Sequence, residues 1–543
     1  MVKARIMKRL GEDSDKFDRY LNVNEYGRWI IRQKIITALL EKDTSKTDSY
    51  INEYYRTYKK PSDIVEAQFL ALVKAERAAL ESTDQAELQR MFEEVRDMSL
   101  TVDENGVPNS KLVSSVELHL VMDCAAFYDV EKKNKIWQYI FDICKDESRS
   151  NVELSLFAPR ALYLRCTNTI NSEVVTSDIA KGIVEVIELS IKKLVSAGRL
   201  YYLKELLDVL IHFCKVINEP EYDVKIQNAS EYLQLLCWIE KLTGTELTPR
   251  ITSFFFSDRT VFPLGQVIQR RRRMMGISVG QACESICDPK TLRRVEALKT
   301  NIQQDIASEL LDRLHLCKDL EHHTMSTRGQ RHAMLDNYVV QAYRNKNFES
   351  AMKYLDESME FYDMELTESK QFFRRHRAII NYAWGKISVR EYADELLQSL
   401  YYSLPSQVMP LRDIFLNREE QSTLFNYLTV RDNPYVESAF ILEKNRLEHD
   451  RREVGLSFDA RAYDVTLLGL IISAERRGDY VSMAQLSVTL LKTAMENQRC
   501  QQIVGGLANL KTSLENLPED SRIASLDEVN NMLRIALEHF GLH

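Results

Sequence analysis

The stretch "IVEVIELSIKKLVSAGRLYYLKELLDVLIHFCKVI", Ile183 to Ile217, decides the fold class. Its apolar residues recur at intervals of three and four, which is the period of an amphipathic helix. The dipeptide Ala197-Gly198 interrupts this pattern as a turn does, and the same period resumes after it. The stretch therefore predicts two helices joined by a short turn, and helical hairpins of this kind stack into arrays.

The rest of the chain has the same character. Its 543 residues include only 17 Gly and 11 Pro, and such a composition is typical of helices joined by short turns. We expect an all-α protein with more than about 60% helix, roughly twice the globular average, and no sheet beyond an incidental hairpin.

Four segments share a small residue in a first helix, a polar turn and an aromatic or apolar row in a second helix. In "VVQAYRNKNFESAMKYLDESM", Ala342, Asn347-Phe348, Ala351 and Tyr354 resemble the tetratricopeptide pattern, in which small residues let adjacent helices approach closely. The sequence thus predicts tetratricopeptide-like helical-hairpin repeats.

The repeats also recur over a longer distance, which predicts two related halves. Positions 304 apart match in type, as do others 303 or 280 apart: Leu10, Ala38 and Tyr50 with Leu314, Ala342 and Tyr354, Gln68 with Gln371, and Gly198 with Gly478. A tandem duplication predicts that residues 1–90 superpose on residues 305–393, whereas chance similarity among helical segments predicts no such relation.

A basic block interrupts this chain, whose formal net charge is -8. In "LGQVIQRRRRMMGISVGQACESICDPKTLRRVE", Leu264 to Glu296, Gly276 ends a first helix and Ser278 caps a second. Asp288, followed by Pro289, caps a third. The third helix turns Leu292 and Val295 inward and leaves four residues on its outward face: Lys290, Thr291, Arg293 and Arg294.

This block resembles the helix-turn-helix of Cro-like and lambda-repressor-like regulators, the xenobiotic-response-element type. Combined with the repeats, it is similar to peptide-responsive regulators of Gram-positive bacteria. The resemblance implies a double-stranded DNA partner, with Lys290, Thr291 and Arg293 reaching base edges. It places Arg294 and the run that contains Arg270, Arg272 and Arg273 nearer phosphates.

The same resemblance implies a homodimer and a concave groove for an extended peptide or protein ligand. Tyr54, Tyr58 and Tyr354 are candidates for lining that groove, although most tyrosines of such arrays fill gaps between helices. The predicted organisation is a repeat region over 1–250, a join over 251–263, the helix-turn-helix module over 264–320 and a second repeat region over 321–543. In the second half this module precedes the helix around Leu314. The corresponding module of the first half is either lost or lies upstream of this sequence.

Three residues of the block depart from the resemblance: Val279 replaces a Gln, Ala297 replaces an Asn, and Arg271 replaces a buried Leu. A buried guanidinium is costly unless it is paired, so Arg271 must reach solvent or pair with Glu284 or Glu296. Two hypotheses stay open. One is a transcriptional regulator, and the other is a repeat scaffold or signalling adaptor whose module no longer binds DNA.

Other chemistry finds little support in the sequence. There is no phosphate-binding glycine loop, nucleophile elbow or paired-histidine zinc motif, so we expect neither an enzyme nor a cofactor. The spacing of Cys283, Cys287, Cys317, His322 and His323 matches no compact zinc finger, and we expect no metal. Nine scattered cysteines predict reduced thiols in a cytoplasmic protein, and no apolar stretch is long enough to span a membrane.

Overall fold

A computed structural model describes residues 17–110, 112–145, 149, 151–172, 175–247, 261–323, 330–404, 413–454 and 459–540. Helices make up about 73% of these residues, which confirms the all-α prediction. The described part of the chain contains 25 α-helices and three short strands.

The helices that precede the basic block are α1 to α11: Val23–Leu40, Thr44–Tyr58, Ile64–Ala79, Gln85–Asp97, Ser115–Ala125, Val130–Cys144, Asn151–Leu154, Ala158–Ser172, Ser177–Ser196, Leu203–Ile217 and Asp223–Thr243. The block and its extension form α12 to α15: Leu264–Met274, Val279–Cys283, Pro289–Glu296 and Gln304–Arg313. The remaining helices are α16 to α25: Gln330–Arg344, Phe348–Met359, Thr367–Ala383, Val389–Leu400, Arg418–Val430, Pro434–Val454, Ala460–Arg476, Tyr480–Glu496, Ile503–Glu515 and Leu526–Phe540.

The chain forms two compact units that cut across the linear order. Among the described residues, the first unit contains 31–247 and 480–540, and the second contains 17–30 and 261–479. The predicted join, 251–263, lies outside the described residues except for its last three positions. The last three helices of the chain therefore complete the core of the first repeat region.

The helices of the two predicted halves follow one another in the same order, α1 to α4 in the first and α16 to α19 in the second. Ala38 and Ala342 are both buried, and so are Gln68 and Gln371. Leu10, the first position of the predicted correspondence, lies outside the described residues. The shared helix order and the matching burial agree with two related halves.

Two turns that are far apart in the sequence contact each other in the first unit. The turn between α9 and α10 pairs with the turn between α23 and α24, so that Leu200 N donates to Gln498 O at 2.8 Å and Cys500 N donates to Gly198 O at 3.1 Å. Arg199 and Arg499 form the antiparallel bridge at the centre. Gly198, Gly478 and Gln498 all have positive φ, 72°, 68° and 53°, and of the latter two it is Gln498 that contacts the turn at Gly198.

This reciprocal contact lies within one apolar core. Leu203, Leu206 and Phe213 of α10 share that core with Ile503 and Leu507 of α24. Each turn offers the other the same backbone donor and acceptor, as equivalent surfaces of a symmetric pair do. The two turns and the helices that follow them therefore pack against each other inside the first unit.

The second unit contains a small mixed sheet, although the sequence predicted none beyond a hairpin. Its strands are β1, Phe17–Leu21, β2, Val261–Pro263, and β3, Glu321–His323, in the order β2-β1-β3. β1 is parallel to β2 and antiparallel to β3. These segments are too short and too far apart in sequence to give a period-two pattern, so only tertiary pairing defines them.

Candidate nucleic-acid interface

The local signals of the basic block form the turns that the sequence predicted. Gly276 has φ of +69° after α12, and Ser278 caps α13 in a capping box with Gln281. Asp288 caps α14 by accepting from Lys290 N at 2.7 Å, and Pro289 is the first helical residue. Two short helices separated by a turn are thus held between α12 and α15.

A compact core lies beneath these helices. Leu292 of α14 and Ile268 of α12 are fully buried, together with Leu310 and Leu311 of α15. α12 crosses α14 closely, since a Cβ on Gly265 would lie 2.0 Å from Val295 O. Only glycine allows this approach without a shift of the backbone, so the orientation of α14 depends on a position in α12.

The outer face of α14 is basic and open. Lys290, Arg293 and Arg294 are exposed and Thr291 is half-buried, while Leu292 and Val295 are buried on the opposite face. Within the described residues, none of these three cations has an ion pair. The predicted orientation of all four residues is therefore the one that the structure has.

Arg271 is completely buried, and it pairs with neither Glu284 nor Glu296 as the sequence suggested. Its guanidinium donates to both carboxylate oxygens of Glu420 at 2.7 and 2.8 Å. It also donates to the carbonyl oxygens of Leu314, Phe415 and Ser403 at 3.0 to 3.3 Å. Arg271 thus attaches the module to helix α20 of the second repeat region, within the second unit.

Arg272 requires a correction, because the sequence placed it near phosphates. It is buried, and it donates to both carboxylate oxygens of Glu296 at 2.7 and 2.9 Å and to Ile277 O at 2.8 Å. This ion pair joins α12 to α14. Its guanidinium therefore links the two helices, and its Nε, Nη1 and Nη2 atoms each already donate a hydrogen bond.

The other two arginines of the run differ from each other. Arg273 is half-exposed and forms an ion pair with Asp413 at 3.1 Å. Arg270 is half-buried, and burial followed by the charge of Arg446 lowers the pKa of its guanidinium. Of the run, Arg273 is the most exposed, and its guanidinium is paired with Asp413.

The tyrosines proposed for a peptide groove are packed. Tyr54 is completely buried, and the ring of Tyr58 lies 5.5 Å from it. Tyr354 is half-buried beside Tyr338, with ring centroids 5.4 Å apart. Tyr54 therefore belongs to the core, and this corrects its assignment as a groove candidate.

A cluster of ionisable side chains in the first unit was not identified by the sequence analysis. Arg160 is bonded to Asp123 and to His119 Nδ1. Burial, and then the charge of Asp123, raises the pKa of Glu76 to about 8. Burial, and then the charge of Arg160, lowers the pKa of His119 well below its usual value. These residues come from three helices that only tertiary packing brings together, so no sequence spacing indicates them.

Among the described residues, neither a metal centre nor a membrane span is found. In the part of the chain that the structure describes, no three His, Cys, Asp or Glu side chains are placed to hold a metal ion. A search of those same residues finds no helix that combines the length and apolarity needed to cross a bilayer.

The chain was compared with known proteins. No protein-family model and no curated protein sequence matches it. Among solved structures, PlcR of Bacillus thuringiensis in complex with the peptide PapR7 and DNA is 16% identical, with a TM-score of 0.28. That match covers 51% of this chain and 94% of PlcR.

Two further solved structures are similar at the same low level. Rgg2, the SHP pheromone receptor of Streptococcus dysgalactiae, is 16% identical with a TM-score of 0.24, over 51% of this chain and 91% of Rgg2. A circular tandem repeat protein is 12% identical with a TM-score of 0.10, over 94% of this chain and 89% of that protein. At these TM-scores the neighbours assign no function to this chain.

Proposed function

We propose that this protein is a DNA-binding transcriptional regulator in which α14 is the recognition helix of a helix-turn-helix. The observation that carries the proposal is the polarity of α14. Its inner face is buried, and its outer face presents Lys290, Arg293 and Arg294 without an ion pair among the described residues. On an acidic chain, a rigid helix with uncompensated cations fits an anionic partner.

The size of α14 suits a duplex. It has eight residues and a capped N-terminus, and the major groove of B-DNA is about 12 Å wide and admits a helix. Lys290, Thr291 and Arg293 lie toward the groove in this arrangement, and Arg294 and Arg273 lie nearer the phosphates. Affinity then falls with salt, by a slope of about 0.9 per phosphate neutralised.

The test is a selection from random DNA duplexes at low salt, using the whole chain and a Lys290→Glu/Arg293→Glu variant. We expect one sequence class to be enriched by the wild type and none by the variant. On the selected site, Arg293→Ala is expected to cost about 1 to 3 kcal/mol and to relax the preference at one base pair.

A matched control separates this face from net charge. Arg56→Glu/Lys241→Glu changes the net charge by the same amount at two exposed positions of the first unit, and it is expected to retain the enriched sequence. If the wild type enriches no sequence, or if both double variants lose binding equally, the recognition role of α14 is rejected.

A second function has its own support, namely a repeat scaffold or signalling adaptor that does not bind DNA. Arg271 and Arg272, at the centre of the arginine run, are consumed by buried ion pairs with Glu420 and Glu296. In that function the arginine run stabilises helix packing, and the basic block connects neighbouring helices without binding DNA. Absence of DNA enrichment, together with normal folding of the Lys290→Glu/Arg293→Glu variant, would favour this function.

The proposed regulator includes two further partners. One recognition helix offers little surface, so useful affinity requires two modules on half-sites about one helical turn apart, which a homodimer supplies. The repeats are proposed to bind a peptide or protein ligand that changes the affinity for DNA. Sedimentation of the chain with and without the selected duplex tests the first of these points, since a homodimer binds with a stoichiometry of two chains per duplex.

A further inference from the structure

An open-mouthed pocket of about 480 Å³, counting the space at its mouth, lies within the second unit. Its walls come from helix α1, strand β2, helix α12 and helix α21 of that unit, together with Phe415 and Asp459. The residues that matter for its chemistry are Tyr26, Trp29, Phe262, Arg270, Arg446 and Asp450.

Trp29 supplies an unused donor at this pocket. Its side chain is 3% exposed, and its indole N–H has no acceptor within the described residues. The ring of Tyr26 stacks on it at 5.7 Å with an interplanar angle of 25°. Buried polar groups of native proteins almost always have a hydrogen-bond partner. The N–H of Trp29 has none among the described residues, so we expect a ligand to supply the acceptor.

Arg270 supplies an unused charge. It is half-buried, and no carboxylate of the described residues lies within ion-pair distance of it. The neighbouring Arg446 is already held by Glu443 at 2.5 Å and Asp450 at 2.8 Å. The carboxylates of Asp450 and Glu443 also act on Arg270, but burial and the charge of Arg446 outweigh them and lower its pKa, so a further anion beside Arg270 is favourable.

We propose that this pocket binds a small molecule that carries one carboxylate on a flat apolar body. The carboxylate accepts from Arg270 and from the indole N–H of Trp29, and the apolar body lies against the rings of Tyr26 and Phe262. Asp450 and Asp459 also line the pocket, so a dianion such as a phosphate monoester is disfavoured and a single negative charge is selected.

The site connects the basic block to the repeats. Arg270 belongs to α12, whose next residue, Arg271, is fixed to Glu420, and Arg446 belongs to α21. A ligand that bonds Arg270 therefore adds a contact between α12 and its surroundings inside the second unit. The proposal concerns binding alone, so it stands independently of the function proposed above.

The probe is benzoate, and benzamide, which has the same shape without the charge, is the matched control. The chain has four tryptophans, so labelling with 5-fluorotryptophan gives four fluorine resonances, and Trp29→Phe identifies that of Trp29. We expect benzoate to shift this resonance in a saturable way. Benzamide is expected to bind at least about tenfold more weakly, since it loses the charge-assisted hydrogen bond to Arg270.

Two variants distinguish a specific benzoate site from a general effect of benzoate on the protein. Arg270→Gln is expected to weaken benzoate binding at least about tenfold, whereas Arg344→Gln, an exposed cation of the same unit, leaves it unchanged. The other three resonances report that each variant is folded. A Trp29 resonance that does not move with benzoate, or that moves equally in Arg270→Gln, would overturn the proposal.

The source of the carboxylate is distinguished by a second pair of probes. N-acetylphenylalanine carries the carboxylate of a peptide C-terminus, and its amide does not. Tighter binding of N-acetylphenylalanine than of benzoate supports the end of a peptide as the occupant, and weaker binding supports a free aromatic acid. Equal binding of N-acetylphenylalanine and its amide contradicts recognition of a carboxylate.

Discussion

The first and second repeat regions share a buried capping box at the N-terminus of a helix, with Ser as the capping residue in the first region and Asn in the second. In the first, Ser114 and Glu117 form a buried capping box at α5, and Glu117 accepts from Ser114 N and Oγ at 3.0 and 2.9 Å. In the second, Asn417 and Glu420 form the capping box at α20, and Glu420 also receives Arg271 from the basic block. In the second region one local motif thus serves both as a cap and as the attachment point of another element.

A glutamine–serine hydrogen bond also recurs in the two regions. Gln68 donates to Ser99 Oγ at 2.8 Å, and Gln371 donates to Ser403 Oγ at 2.7 Å. In the second region the chain of bonds continues, because Ser403 Oγ donates to Glu420 and Ser403 O accepts from Arg271. The second region shows that the acid of a capping box can at the same time hold a buried arginine from another element.

The largest expected effect comes from breaking that attachment. Arg271→Met leaves the carboxylate of Glu420 buried without its partner, and loss of one member of a buried ion pair costs about 3 to 5 kcal/mol. Urea unfolding followed by circular dichroism measures the loss. The double variant Arg271→Met/Glu420→Gln is expected to recover much of it, because no unpaired charge remains.

The control for this prediction lies two residues away. Arg273→Met removes a half-exposed ion pair with Asp413, and surface pairs contribute about 0 to 1 kcal/mol. An Arg271→Met variant no less stable than Arg273→Met would show that the Glu420 contact does not fix the module.

A somewhat smaller effect is expected for the second buried pair. Arg272→Met removes the link to Glu296 and Ile277 O, and since both side chains retain slight exposure, 9% and 5%, we expect a cost nearer about 3 kcal/mol. The dependence of DNA binding on ionic strength tests whether Arg272 acts by positioning α14. Any loss of DNA binding by Arg272→Met should persist when the ionic strength is changed, because its cause is the position of α14 and not a lost phosphate contact.

The first region is expected to show a pH dependence through Glu76. Burial, and then Asp123, raises the pKa of Glu76 from 4.5 to about 8, so between these values the folded state holds a proton that the unfolded state has released. This group therefore makes stability fall as pH rises from about 4.5 to 8, with no further change above.

Glu76→Gln is the measurement for that dependence. The amide cannot ionise, so the variant is expected to lose this part of the decline and to be more stable than the wild type above pH 8. The difference is expected to be smaller than that of Arg271→Met, since Glu76 keeps part of its surface exposed. Parallel unfolding profiles of the two proteins between pH 5 and 9 would contradict the shifted pKa.

The smallest effect separates the two caps themselves. Ser114→Ala is expected to cost about 0.5 to 2 kcal/mol, as loss of an N-cap does. Asn417→Ala is expected to cost more within that range, because its Oδ1 accepts from Glu420 N at 2.8 Å and thereby orients the acid that Arg271 requires. Thermal unfolding of both variants compares them, and equal costs would mean that the cap of α20 does not support the Arg271 contact.

Prediction from sequence succeeded where the signal is local. The caps at Ser278 and Asp288, the break at Gly276 and the inward position of Leu292 were predicted because each depends on residues within one or two turns of helix. It failed for Arg272, whose partner Glu296 lies 24 positions away. A run of four arginines looks the same in sequence whether its members face solvent or a carboxylate.

The sequence by itself determined that this protein is helical, where its helices in the basic block begin and end, and which side of α14 is basic, since periodicity and capping act over a few residues. Only the tertiary structure decided that Arg271 meets Glu420, 149 positions later, that the turn at Arg199 pairs with the one at Arg499, and that Trp29 and Arg270 share a pocket. Such contacts depend on how whole helices pack. The free energy of burying a charge or an apolar face is set by partners that no local pattern identifies.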